Sequence, residues 1–142
     1  MISQDGGVMM AEHTVSSTHP LPPPTTEEDR LSWLRLLRSH RVGISTFFRL
    51  VHEYGSAAAA LKALPDIARK AGLENYAACS AERVGIEIRA GAEAQARLIF
   101  FGNEDYPKAL MTIANPPPVL WITGNSQTFL RPMVAIVGAR NA

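Results

Sequence analysis

The run Met133-Val134-Ala135-Ile136-Val137-Gly138-Ala139-Arg140 decides the fold class of the second half of this chain. An unbroken apolar stretch such as Met133–Val137 reads as a strand buried on both faces. A glycine directly after it marks a turn into a helix whose N-terminal N–H groups can face a phosphate. Position 140 holds arginine where a dinucleotide fingerprint needs a glycine to let the backbone approach a pyrophosphate. The guanidinium instead offers a fixed charge and a donor fork.

Working back from that run, Leu98-Ile99-Phe100-Phe101 predicts a strand, Gly102 to Pro107 a turn, and Pro107 to Ile113 a short helix that starts at its proline. Asn115-Pro116-Pro117-Pro118 forbids continued helix, and Val119-Leu120-Trp121-Ile122-Thr123 predicts a second strand. Gly124-Asn125 turns, and Met133–Val137 is the third strand. Strand, helix, strand, short helix, strand is the opening of an α/β sheet. Three strands leave edges and faces that need covering, so the chain reads as the N-terminal fragment of a longer protein.

The first half has a different grammar. Residues 1–26, with Pro20, Pro22, Pro23 and Pro24 among Gly, Ser and Thr, carry too few large apolar side chains to offset ordering entropy and read as a disordered leader. Thr26 followed by Glu27-Glu28-Asp29 is a helix start, and Leu31, Trp33, Leu34, Leu36 and Leu37 give that helix its apolar face. Gly43 permits a tight turn, Ser45 is a candidate cap, and Gly55 suits a left-handed helix end. Ser56 caps a helix to Leu64, Pro65 begins another to about Ala71, and Gly72 stops it. A further helix runs from Ser80 to Ala96 despite Gly85 and Gly91. The expected organisation is a leader (1–26), an all-helical module (27–92) and the start of an α/β domain (93–142).

Composition bounds the chemistry. The chain has 142 residues, 46% of them apolar and 19% charged, as in folded globular domains, and its net charge of +1 is uninformative about nucleic acid. Its arrangement says more: Arg30, Arg35, Arg38, Arg41 and Arg49 fall in a stretch from residue 30 to 52 without an acidic side chain. The plain reading is a solvated helix face; the functional one makes Arg38, Arg41 and Arg49 auxiliary DNA contacts. Cys79 is the single cysteine, which excludes an internal disulfide and a cysteine-rich metal site. His13, His19, His40 and His52 are too scattered to suggest a metal ligand set. Glu104 and Asp105 are adjacent turn residues with no accompanying nucleophile, a poor acid/base pair. No apolar stretch is long enough to cross a membrane as a helix, and no secretory signal is recognisable, so a cytoplasmic location is expected.

Three phrases, taken in order, resemble the DprA/Smf family of DNA-processing proteins: Phe101-Gly102-Asn103-Glu104-Asp105-Tyr106-Pro107-Lys108-Ala109-Leu110, Pro116-Pro117-Pro118-Val119-Leu120-Trp121-Ile122-Thr123-Gly124-Asn125, and Arg131 through Arg140. The helical half resembles that family's N-terminal domain, of the sterile-alpha-motif or helix-hairpin-helix kind. The resemblance covers about residues 27–142. It implies a Rossmann-like domain that binds single-stranded DNA, a homodimer formed through parts of that domain beyond this chain, and loading of the RecA recombinase in natural transformation. It implies no enzyme activity and no cofactor. The phosphate site carried over is Gly138, Ala139 and Arg140, with Ala139 where the family commonly has serine, so one hydroxyl donor is absent.

Two other readings fit the residues alone. A strand-glycine opening also suits a nucleotide-processing enzyme such as a nucleoside-monophosphate phosphoribohydrolase, and the helical half suits a protein-interaction module. The aromatics Trp33, Phe47, Phe48, Tyr54, Phe100, Phe101, Tyr106 and Trp121 are expected mainly in the core rather than stacked on bases, with Tyr106 bracketing the turn before Pro107.

Overall fold

The computed structural model describes residues 21–139. Four helices come first, α1 (Glu27–Arg38), α2 (Ile44–Tyr54), α3 (Ala57–Lys70) and α4 (Ala81–Glu93), followed by β1 (Arg97–Phe100), α5 (Lys108–Met111), β2 (Val119–Ile122) and a 3₁₀ turn (Ser126–Leu130). A helical domain thus precedes a small strand–helix region of the kind that opens a Rossmann-like domain. His13 and His19 lie outside the described residues.

Local chemistry sets the helix ends. Thr26 closes a capping box at α1, its hydroxyl accepting from the Asp29 N–H and its own N–H donating to the Asp29 carboxylate. Ser56 and Ser80 cap α3 and α4, and Gly55 ends α2 at φ 80°. Three details differ from expectation. Gly43, not Ser45, is the N-cap of α2, and the Ser45 hydroxyl reaches Asn115 Oδ1 at 2.9 Å. The left-handed residue of the turn before α2 is Arg41 (φ 61°), whereas Gly43 has an ordinary φ of −86°. Pro65 does not divide α3, because Ala57, Ala60, Leu61, Leu64 and Ala68 bury one continuous stripe while Pro65 stands on the exposed face. Burial of that stripe outweighs the one hydrogen bond a proline removes.

The strand region is also corrected. β1 and β2 pair antiparallel, with Leu98 opposite Trp121 and Ile99 opposite Leu120, and they form a sheet of two strands. Met133–Val137 is not a third strand: it makes no ladder with β1 or β2, and Val134, Ile136 and Val137 are each more than nine-tenths exposed. Partial burial explains the difference for the first two strands. β1 has only its last two residues buried and β2 only its two ends, so neither has the two covered faces of a parallel central strand.

Trp33, Leu34, Leu36, Phe47, Leu50, Val51, Ala60 and Val84 form the helical core, and Phe100 of β1 and Val119 of β2 belong to the same cluster. Aromatic rings make the junction. Trp33 meets Phe47 and Phe100 edge-on at 5.0 and 5.9 Å, and a succession of edge contacts runs on through Phe48 and Phe101 to Tyr106. Tyr106 is buried and its hydroxyl donates to the Pro117 carbonyl at 2.8 Å, so it brackets the turn against the proline run. Of the expected leader, residues 21–26 are described: Leu21 packs on the helical core, and its carbonyl lies with Pro23 over Gly102 (φ +91°) in the turn after β1.

Two glycines of α4 separate by their surroundings. A Cβ on Gly85 would meet only the far end of the flexible Arg89 side chain at 3.7 Å, whereas one on Gly91 would overlap the indole ring of Trp121. Gly85→Ala is therefore expected to stabilise the chain by about 0.5–1 kcal/mol through helix propensity. Gly91→Ala is expected to destabilise it by about 1–3 kcal/mol through overpacking. Urea unfolding of the two variants checks the opposite signs.

Candidate nucleic-acid interface

The arginines between residues 30 and 52 are mostly engaged within the fold. Arg30 pairs with Glu27 at 3.0 Å, Arg35 donates from Nε to the Cys79 carbonyl at 2.9 Å, and Arg49 pairs with Glu53 at 3.3 Å. Arg38 donates from Nε and Nη2 to the two Glu87 carboxylate oxygens at 2.9 and 2.7 Å. Glu87 Oε1 also accepts from the Trp121 indole N–H at 3.0 Å. One carboxylate on α4 therefore ties α1 to β2. Arg41 is exposed, and its guanidinium has no ion pair among the described residues.

This pairing shifts both groups. The hydrogen bond to Glu87 raises the Arg38 pKa, and the hydrogen bond from Arg38 holds the Glu87 carboxyl below the usual carboxylate range despite partial burial. Burial raises the Tyr76 and Tyr106 hydroxyls. The Tyr76 hydroxyl donates to the His40 carbonyl at 2.7 Å, and the Cys79 N–H donates to the Ser39 hydroxyl at 2.9 Å. These two bonds latch segment 76–79 onto the C-terminal end of α1.

Of the phosphate-site residues expected from the sequence, Gly138 and Ala139 are exposed, with open space where a Cβ on Gly138 would lie. Arg140 lies outside the described residues. Arg41 and Arg49 line a common groove beside α2 and α3, Arg38 is not among its lining residues, and neither are Gly138 and Ala139. Asp105 accepts from Arg97 at 3.0 Å, and Arg97 also donates to the Ser126 hydroxyl at 3.1 Å, so this carboxylate fixes the strand region. No cluster of metal-ligating side chains occurs among the described residues. No helix among them is long and apolar enough to cross a membrane. Sequence reasoning missed Glu87, whose partners are 49 and 34 positions away. The only local signal of that contact is Gly91, which makes room for the indole.

Comparison with known protein families gives two matches in chain order. Residues 27–90 match the model described as the DprA-like N-terminal HHH domain, and residues 97–142 match the one described as DNA recombination-mediator protein A. Among curated proteins, none matches the chain.

The depressed Glu87 pKa fixes the sign of one pH effect. Its stabilisation is fully present above the ordinary glutamate value of the unfolded chain and is lost as pH falls through the lower folded value. Glu87→Gln is expected to lower stability at pH 7 by about 1–2 kcal/mol, the range for a partly exposed charge-assisted pair. The variant should also flatten the acid limb, so that the difference from the parent shrinks towards pH 3, as read by urea midpoints across pH.

Proposed function

Because this chain belongs to the DprA/Smf family of DNA-processing, recombination-mediating proteins, we propose that it binds single-stranded DNA, protects it and loads the RecA recombinase onto it in natural transformation. The ordered pair of family matches, which together span most of residues 27–142, carries this reading. The mechanism is holding rather than chemistry. Backbone N–H groups at Gly138 and Ala139 and the guanidinium of Arg140 contact phosphate, which positions a strand of any sequence without reading its bases.

The auxiliary arginines have unequal parts in this proposal. The donor fork of Arg38 is directed at Glu87, so it adds only long-range attraction, as do Arg41 and Arg49 on the helical module. The proposed protein is cytoplasmic, acts without a cofactor or catalytic residue, and dimerises through the Rossmann-like domain. Support for those last features comes from the family alone.

Arg140→Ala is expected to weaken binding of single-stranded oligonucleotides about three- to tenfold irrespective of sequence. It should lower the steepness of the log affinity against log salt plot by about 0.7, the counterion release that neutralising one phosphate of a single strand brings. Ala139→Ser, which restores a hydroxyl donor, is expected to tighten binding. Fluorescence anisotropy across a salt series reads both, and an unchanged affinity and slope for Arg140→Ala would remove the guanidinium from the site.

A further inference from the structure

We propose that the groove between α2, α3 and segment 73–76 is a docking site for a protein segment that presents aliphatic side chains flanked by carboxylates. The groove has a volume of about 250 Å³. That falls below the roughly 300–1,000 Å³ of small-molecule pockets and suits one or two inserted side chains. Its floor is aliphatic: Val42, Leu50, Leu64 and Ala68 are buried there, with Ile67 and Leu73 half-buried beside them. Its rim is cationic. Arg41 and Arg49 stand at the mouth with His40, and no carboxylate lines it.

Charge complementarity selects the occupant. Glu53, outside the groove lining, partly neutralises Arg49 through an exposed pair, which leaves Arg41 as the cation without an ion pair among the described residues. The backbone of Arg41 holds a left-handed conformation that is unfavourable for a non-glycine residue, and it places the charged residue in the turn at the groove mouth. Nucleic acid fits the same surface poorly. Single strands bind on aromatic platforms and along tracks of several cations. The one aromatic wall here is Tyr76, whose hydroxyl is held by the His40 carbonyl. An amphipathic acidic segment meets both demands at once, with apolar anchors on the floor and carboxylates at Arg41. This inference stands apart from the phosphate site at residues 138–140.

The test uses the 142-residue chain and a fluorescein-labelled, end-blocked peptide of sequence Glu-Asp-Leu-Glu-Asp-Ile-Leu-Glu. Two control peptides replace either the carboxylates by amides or the aliphatic residues by serine. Saturable binding is expected for the parent peptide alone, with no displacement by an equimolar oligothymidylate. Arg41→Gly, which glycine's freedom at positive φ leaves well folded, should weaken binding about five- to tenfold. Thr46→Glu, which puts a carboxylate on the rim, should abolish it; should that variant unfold by circular dichroism, Arg41→Gly decides. The absence of saturable binding, indifference to Arg41→Gly, or displacement by oligothymidylate would each overturn the proposal. The last result would make the groove a nucleic-acid surface. Because Arg140 is untouched in these variants, their outcome is separate from that of the Arg140→Ala experiment.

Discussion

The burial of Trp33 is the constraint on which the rest of the architecture depends. Its indole meets the ring of Phe47 in α2 and that of Phe100 in β1, so a single side chain of α1 closes both the helical core and the base of the strand region. A helix bundle of this size has little apolar area to spare, since small domains bury a smaller share of their surface. Phe100 and Val119 make up part of that shortfall by completing the helical core. The edge contacts continuing through Phe48, Phe101 and Tyr106 add specific geometry to what area burial alone would leave loosely defined.

Charge is used in the same way, as fastening first. A stretch with five arginines and no acid looks like a polyanion surface when viewed in one dimension. In three dimensions most of these side chains reach back to acidic groups or carbonyls. The bidentate contact between Arg38 and Glu87, shared with the indole of Trp121, links three elements through one carboxylate. A partly buried polar node of this kind demands that every partner be in place together. Among the described residues no buried side-chain nitrogen or oxygen lacks a hydrogen bond. Within that stretch the exception is Arg41, which is also a non-glycine residue held at positive φ.

Legibility in the sequence followed the range of the interaction. Thr26, Ser56, Ser80 and Gly55 were readable because a cap acts within a few residues of itself. The family phrases around Tyr106, Pro118 and Gly138 were readable for a different reason, as ordered strings. Pro65 misled because its local penalty is visible in sequence while the stripe of burial that overrides it is assembled only in the fold. The antiparallel pairing of β1 with β2 was hidden because an apolar run of four or five residues does not disclose which faces will be covered. The groove beside Arg41 was hidden altogether, since its floor comes from α2, α3 and the segment after α3. Of the candidate phosphate site, only the type and order of its residues could be read; the conformation that would converge on a ligand is not a property of spacing.

The ring contacts between α1 and β1 have a mechanical meaning. With Trp33 wedged against Phe100, and Trp121 fastened to α4, the ladder cannot swivel on the short link between Glu93 and Arg97. The helices and the ladder form a bracket, so rotating one carries the other. A load borne on the ladder itself would be held at a set angle to the helices, in contrast to a ligand on a loose tether, whose reach comes with a wide search volume.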